Sequence, residues 1–453
     1  MKSIAIIGAG FSGTALAIQL LRRARQPMEI LLINRSGPVA RGLAYGTHSP
    51  LHVLNVPAAR MSLFPDIPND FAEFAATIDK EICGADFVAR SIFGCYLETR
   101  LHAATAAADA NVKFRPISEQ VVNIARTAGK THLTLANERQ LVVDEAVLAT
   151  GNFAPATPAS LLDLKGWSGY IPDPWLPGVL TRIPADAPVM LIGTGLTMFD
   201  VAISLDAQNH QRPVIALSRR GLLPQSHRDN HHPPPQVELS NSLVNATSIT
   251  SLCKAVRQYV SVVEERGMDW RDAIAALRPV TSRLWDQLPT ADRARFLRHL
   301  SPYWDVHRHR AATTISKNID RLRSSELLLV QAGKIVDANK TESGFLVNYR
   351  KRGQIKLSQI EVAYIVNCTG PQSDIRRLSD PLFVNLRTTG QVCADTNGLG
   401  LRTNGNYGLL DVHGNTQPSL HVIGPLLKAE LFESTAVPEL RVHAQDLAIK
   451  LLG

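Results

Sequence analysis

The residue order that most restricts this chain stands at its beginning. Ile4-Ala5-Ile6-Ile7 is a short apolar run, and Gly8-Ala9-Gly10-Phe11-Ser12-Gly13 follows it directly. A helix-like stretch from Thr14 to Arg23 comes next, then a second apolar run from Met28 to Ile33. Buried strand, glycine turn, helix and second strand make a βαβ unit. Each glycine has its own task. Gly8 permits the tight turn, Gly10 lets backbone approach a pyrophosphate, and Gly13 lets helix and strand pack closely. The helix start at Phe11 and Ser12 offers free N–H groups and the positive end of the helix dipole to phosphate. A lone GxGxxG is a weak signal, but in strand–turn–helix–strand order it points to a bound dinucleotide.

The second strand ends in Asn34-Arg35, where an acidic residue is expected to hold the adenosine ribose. Asn34 can still bond a ribose hydroxyl, without charge. Arg35 beside it suits a 2′-phosphate, so a nicotinamide reading of this first site stays open beside the flavin one.

The same pattern opens again at Val189-Met190-Leu191-Ile192-Gly193-Thr194-Gly195-Leu196-Thr197-Met198, with Met198 in place of the third glycine. The strand after it, Val214–Ser218, runs into Arg219-Arg220 rather than an acid. A carboxylate would repel a 2′-phosphate, whereas Arg pairs with phosphate through a planar fork. NADPH is therefore expected here over NADH; the alternative is a solvated pair of arginines.

Between these units the chain reads coarsely. Residues 41–70 form a loop region, 91–109 a helix, and 112–147 short strands that end at Ala149-Thr150-Gly151. Residues 154–188 hold seven of the chain's 27 prolines and read as a linker. Residues 227–235 form a polar, proline-rich loop in which His231 and His232 are solvated. Residues 251–323 are mostly helical, with Trp270, Trp285 and Trp304 as their core. Strand patterns return at 327–330, 345–349 and 362–367, the last running into Cys368-Thr369-Gly370. A strand at 419–423 and a helix at 438–451 close the chain.

Composition excludes several classes. At about 150 residues per domain, 453 residues suggest two or three domains. No run of 18 apolar residues occurs, so no membrane span is expected. The apolar start reads as a strand rather than a leader, and a cytoplasmic address is expected. The net charge of +8 is spread over small groups such as Arg22-Arg23 and Arg350-Lys351-Arg352, so no nucleic acid partner is expected. The five cysteines form no C-x-x-C, which argues against a disulfide framework, a zinc site and a flavin–disulfide reductase. Neither G-x-S-x-G nor G-x-x-x-x-G-K-[ST] is present. His307-Arg308-His309 lacks a third metal ligand nearby, so no metal is expected. Its functional alternatives to packing are contact with an anionic or a cationic substrate, or with a nicotinamide phosphate.

GAGFSG, Ala149-Thr150-Gly151, the internal GTG unit and Cys368-Thr369-Gly370 together resemble the flavoproteins with two dinucleotide-binding domains, in which the first domain holds FAD and the second NAD(P)H. More narrowly, the chain is similar to an FAD/NAD(P)-binding oxidoreductase family. The matching pieces are Gly42–Gly46, Leu54–Ser62, Tyr170–Trp175, Gly193–Met198, Trp304–Arg310 and Glu433–Glu439. Flavin N-monooxygenases that oxidise the amine of aspartate resemble this family too. Gly8, Gly10, Phe11, Ser12, Gly13, Asn34, Arg35, Thr150, Gly151 and Gly424 would then serve FAD. Gly193, Gly195, Leu196, Thr197, Ser218, Arg219 and Arg220 would serve NADPH, and Thr150-Gly151 and Thr369-Gly370 would lie at the crossovers between domains. The resemblance also places residues 45–62 near the isoalloxazine, with Asn55 and Arg60 as the catalytic or substrate-contacting candidates. Two features depart from the relatives. Pro425 follows Gly424 where an aspartate is usual, and Gly166-x-x-x-Tyr170 occupies a linker without the histidine of some monooxygenases.

The expected architecture is α/β, with two Rossmann-like domains. FAD is assigned to residues 1–180 plus 371–453, and NADPH to 185–370 with a helical insert at 240–325. The leading expectation is a soluble NADPH-dependent FAD monooxygenase acting on a small polar, amine-bearing substrate. A dehydrogenase using an organic or protein acceptor and a non-catalytic FAD-binding redox sensor are the alternatives. The sequence leaves the oligomeric state open.

Overall fold

The computed structural model describes residues 1–47, 49–229 and 238–453. Lys2–Ile7 is the middle of a parallel ladder, with Met28–Asn34 on one side and Glu145–Leu148 on the other. The full sheet has six strands, in the order 408–410, 416–422, 145–148, 2–7, 28–34, 112–118. Its central strands are apolar through residues 4–7, 30–33 and 146–148 because both faces are covered there. Ile4, Ile6, Ile30 and Leu32 point toward the helices Phe11–Arg23 and Val437–Leu452. Ala5, Ile7, Leu31 and Ile33 point the other way, toward the three-stranded meander of residues 121–143 and the helix Pro381–Thr388.

The second unit repeats the plan. Val189–Ile192 lies between Val214–Ser218 and Tyr364–Asn367, parallel to both. The sheet extends through the long strand Leu328–Lys340 into an antiparallel edge formed by Phe345–Lys351 and Leu357–Val362. The fold is thus α/β with two Rossmann-like units. The chain begins in the first sheet, builds the second, and returns to the first with residues 408–422.

Two boundaries differ from the sequence expectation. Tyr170–Ile171 pairs with Ile365–Val366 and so adds a strand to the second sheet. Leu161 and Leu164 pack beneath that sheet. Residues from about 159 onward therefore sit with the second unit, and the first segment ends well before 180. A two-residue strand inside a proline-rich stretch carries no periodicity to read. The second correction concerns the insert. The helix Thr313–Ser324 buries Ile315, Ile319 and Leu322 against the second sheet, as a Rossmann helix does. The insert proper comprises the helices from Asn241 to Arg308 and ends there, short of 325.

The insert has its own core of Leu243, Tyr259, Val263, Ile274 and Leu277. It also grips the returning C-terminal segment. Trp285 stacks on Phe432 at 4.2 Å, and its indole N–H donates to the Ala429 carbonyl at 3.1 Å. Trp285 is therefore a joint between units rather than only the insert's own core. The part of the 227–235 loop that carries His231 and His232 lies outside the described residues. No helix among the described residues is long and apolar enough to cross a membrane.

Candidate functional site

The first glycine turn is fixed by close approach. Gly8 has φ +114, and a Cβ there would lie 2.3 Å from the Ala149 carbonyl oxygen. A Cβ on Gly13 would lie 1.9 Å from the Gly8 carbonyl oxygen. Gly10 differs: its Cβ would meet nothing nearer than the Gly42 Cα at 3.7 Å, so the space in front of it is open. The helix Phe11–Arg23 starts at Gly10 with no side-chain cap and no acid in its first turn. Its N–H groups and positive dipole end face that open space uncompensated, which suits a phosphate. Gly424, at φ +99, closes over the same helix start, where its Cβ would sit 3.0 Å from the Ser12 hydroxyl oxygen. Thr150 has a buried hydroxyl without a hydrogen-bond partner, at the end of the neighbouring strand. These features fit the pyrophosphate end of a dinucleotide.

The ends of the second strand behave unequally. Asn34 is buried, and its amide donates to the carbonyls of Ser36 and Gly37 at 2.9 and 2.8 Å. Those bonds fix the amide and leave Oδ1 to accept from a ribose hydroxyl. Arg35 is exposed and lies 3.3 Å from Asp380. That carboxylate weakens the case for a 2′-phosphate at the first site.

The second cradle copies the first. Gly193 has φ +101, and a Cβ there would sit 2.5 Å from the Cys368 carbonyl oxygen. Gly195 has nothing within 4 Å of its Cβ position. The helix Leu196–Ala207 again starts without a cap or an early acid. Thr194 and Ser218 share a hydrogen bond of 2.8 Å, and the Ser218 hydroxyl oxygen accepts from the Gly221 N–H, so Ser218 shapes the turn. The two arginines separate. Arg220 donates to the carbonyls of Arg298 and His299 and lies over the Tyr303 ring, which commits it to the end of an insert helix. Arg219 is exposed. Thr369, at the crossover, is held by its bond to Asn367 at 2.7 Å.

A polar clamp that no sequence motif announces joins the two units. Arg90 opens the helix Arg90–Ala106 in the first unit and pairs at 2.9 Å with Asp200, on the second cradle's helix. Both side chains are largely buried, and burial pushes the Asp200 carboxyl up against the pull of Arg90. Nearby, His52 joins Thr47 through Nδ1 (2.8 Å) and Ser204 through Nε2 (2.9 Å). The Ser204 hydroxyl already donates to the Asp200 carbonyl, so His52 Nε2 is the donor and Nδ1 the acceptor. Burial lowers the His52 pKa, which keeps that neutral tautomer.

Beyond the clamp, three of the sequence motifs meet. Glu433, at φ +76, is buried and accepts from the Trp304 indole at 2.8 Å. Arg308 Nε lies 3.2 Å from its other oxygen, and His309 Nε2 lies 3.8 Å away. Burial drives the His309 pKa down to about 4, so this histidine is neutral at pH 7. Arg278 forms a two-bond pair with Glu439. Arg60 faces Arg278, Arg308, Arg441 and Glu439. Lost hydration and the three like charges hold its guanidinium below the ordinary value, although the side chain remains open to solvent. Asn55 contributes its backbone carbonyl, which accepts from His227 Nε2 at 3.0 Å. His307 is taken by the insert instead: Nδ1 contacts the Tyr303 carbonyl at 2.7 Å and the ring packs on Trp270. Of the His-Arg-His run, only Arg308 and His309 reach this recess. No cluster of metal-binding side chains occurs among the described residues.

The sequence reading missed Arg90, Asp200, Arg278 and Arg441. Each acts through a partner more than 100 residues away or in another unit. The opposite charges of Trp304–Arg310 and Glu433–Glu439 were the one visible hint of complementarity.

Residues 5–153 match the family model described as FAD-NAD(P)-binding. Comparison with curated proteins finds no match. Among solved structures, the chain is similar to the ornithine hydroxylase of Pseudomonas aeruginosa, at 18% identity and TM-score 0.65, covering 100% of this chain and 98% of that one. The ornithine N-hydroxylase of Kutzneria sp. 744, solved with reduced FAD, NADP+ and L-ornithine, is 14% identical with TM-score 0.63, again over 100% and 98%. The FAD-bound cadaverine monooxygenase of Erwinia amylovora is 14% identical with TM-score 0.61, over 98% of this chain and 92% of that one. At such identities these likenesses establish the fold.

Proposed function

We propose that this protein is an NADPH-dependent FAD monooxygenase that hydroxylates the nitrogen of a small amine. The observation that carries the reading is the duplication of one device: Gly8 against Ala149 and Gly193 against Cys368, each followed by an open glycine and an uncapped helix start. Two dinucleotides on one chain mean hydride exchange between them. The family match over residues 5–153 supports FAD at the first cradle, and the full-length likeness to amine hydroxylases supports the reaction type.

When bound, FAD supplies hydride acceptance from NADPH and, once reduced, reaction with dioxygen. The chain's own residues bind and orient. Gly10, Phe11, Ser12 and Gly13 would hold the FAD pyrophosphate, with Asn34 on the ribose and Thr150 and Gly424 at the flanks. Gly195, Leu196 and Thr197 would hold the NADPH pyrophosphate, and exposed Arg219 is the better placed of the two arginines for the 2′-phosphate. The Arg90–Asp200 pair ties the second helix to the first unit and so fixes the angle between the cradles. The insert supplies Arg278 and Arg308 to the wall of the recess near Arg60.

The overall reaction balances as amine + NADPH + H+ + O2 giving hydroxylamine + NADP+ + water. The test is NADPH consumption in air with a panel of amines and amino acids, with the hydroxylamine and hydrogen peroxide both quantified. Stoichiometric hydroxylamine supports the proposal. Turnover only with quinones or dyes selects the dehydrogenase, and that result would replace it.

A further inference from the structure

Two exposed cations of the second sheet stand opposite each other without an acid. The strand Leu328–Lys340 runs parallel to Val214–Ser218 as far as the Ser218–Ala332 pair. It then continues beyond that pair and takes Phe345–Lys351 as an antiparallel partner. In this ladder Lys334 lies directly opposite Arg350, so both side chains leave the same face. Both are exposed, and neither forms an ion pair or a side-chain hydrogen bond among the described residues. Asp337 is the one acid in the paired segments 333–340 and 345–351. It accepts from Asn339 and Asn348 instead, at 3.1 and 2.6 Å. Like charges directly opposite each other cost stability. An anion between them turns that repulsion into attraction.

The second cradle fixes where this pair stands. Ala332 is the partner of Ser218, and its side chain shares the Ser218 face. The turn that follows Ser218, and carries Arg219, folds onto that face: a Cβ on Gly221 would lie 3.2 Å from the Ala332 Cβ. Lys334 is one strand repeat further on, so it returns to the same face. The Arg352 N–H donates to the Ala332 carbonyl at 2.9 Å and holds the end of the partner strand at this level. Lys334 and Arg350 therefore rise about 7 Å past the end of Val214–Ser218, on the side of the Arg219 turn. Lys351, opposite Gly333, leaves the other face, so the basic run 350–352 is split by the pleat.

We propose that Lys334 and Arg350 form a second contact for the 2′-phosphate of NADPH, across from Arg219, so that two adjoining strands select the nucleotide rather than one turn. This deepens the reading of the second cradle as the NADPH site and rests on it. NADH carries a hydroxyl at that position and leaves the two cations repelling. The lysine brings a compact charge with rotatable donors, and the arginine a planar fork that matches phosphate oxygens.

The test is calorimetric titration of the FAD-loaded protein with adenosine 2′,5′-bisphosphate and with adenosine 5′-monophosphate. The bisphosphate should bind at least about tenfold more tightly. Lys334→Gln and Arg350→Gln should each weaken it roughly tenfold or more. The monophosphate should change by less than about twofold, and neither variant should melt earlier than the parent, because each removes a repulsion. Lys356→Gln, which removes a charge from the turn beyond Lys351, is the control for overall charge and should leave both nucleotides alone. Bisphosphate binding indifferent to Lys334→Gln and Arg350→Gln, equal weakening of both nucleotides, or an equal loss in Lys356→Gln would each overturn the contact. A parent that binds both nucleotides equally, or neither, would overturn it as well. Flavin bleached anaerobically by NADPH and not by NADH in the parent would leave the NADPH reading standing, so the two failures are distinguishable.

Discussion

Alanine at Gly10 separates folding from cofactor binding, because this glycine is open where its neighbours are crowded. Gly10 sits at φ −80 and ψ −166, a conformation any residue adopts, and its Cβ would lie 3.7 Å from the nearest atom. Gly10→Ala should therefore leave the FAD-free fold unchanged, or stabilise it by about 0.4–1 kcal/mol through the unfolded chain. The methyl would stand where a pyrophosphate oxygen must approach the backbone. Losing one charge-assisted hydrogen bond is worth about 1.5–3 kcal/mol, or roughly 10- to 150-fold in FAD Kd. Gly8→Ala and Gly13→Ala place a methyl 2.3 and 1.9 Å from carbonyl oxygens and should destabilise the fold by about 1–3 kcal/mol or more. Thermal melting of FAD-free protein and fluorescence titration with FAD measure the two effects separately. A Gly10→Ala protein that melts normally and binds FAD as tightly as the parent would refute the cradle.

The remaining predictions concern the second cradle, the clamp and the recess. Arg219→Ala should raise KM for NADPH about tenfold or more while sparing NADH; Arg220→Ala should leave that ratio alone and cost about 1 kcal/mol of stability, since it serves carbonyls of the insert. Arg90→Ala strands the buried Asp200 carboxyl and should destabilise by about 3–5 kcal/mol, with partial recovery in the Arg90→Ala, Asp200→Asn double variant, as urea denaturation would record. Burial pushes the Asp305 carboxyl up to about 6. Its ionisation therefore costs stability that begins to be lost above the unfolded value near 4 and is fully lost above pH 6. Asp305→Asn should stabilise by up to about 3 kcal/mol at pH 8 and change little at pH 4. Equal effects at both pH values would remove that assignment.

What the sequence disclosed was local and periodic. Gly8 to Gly13 announced the turn because strand, glycine spacing and helix occupy adjacent residues, and no other local structure uses that order. The same logic reached Gly193 and Gly195 despite Met198. What escaped was set by tertiary contact. Tyr170–Ile171 is a strand only because Ile365 and Val366 offer a free edge. The helix Thr313–Ser324 has the periodicity of any amphipathic helix, and only its partner sheet excludes it from the insert. Arg219 and Arg220 are adjacent in sequence and chemically identical, yet an insert helix 78 residues away claims one of them. Arg60 was singled out from its motif, but its neighbours Arg278, Arg308 and Arg441 come from three distant segments that no spacing rule connects.

Anaerobic addition of NADPH to the purified protein, followed by absorbance from 300 to ~600 nm, bears most directly on the paired cradles. A yellow protein whose flavin band is bleached by stoichiometric NADPH is the expected result. Protein that stays colourless after incubation with excess FAD, or flavin that NADPH leaves oxidised, would contradict it.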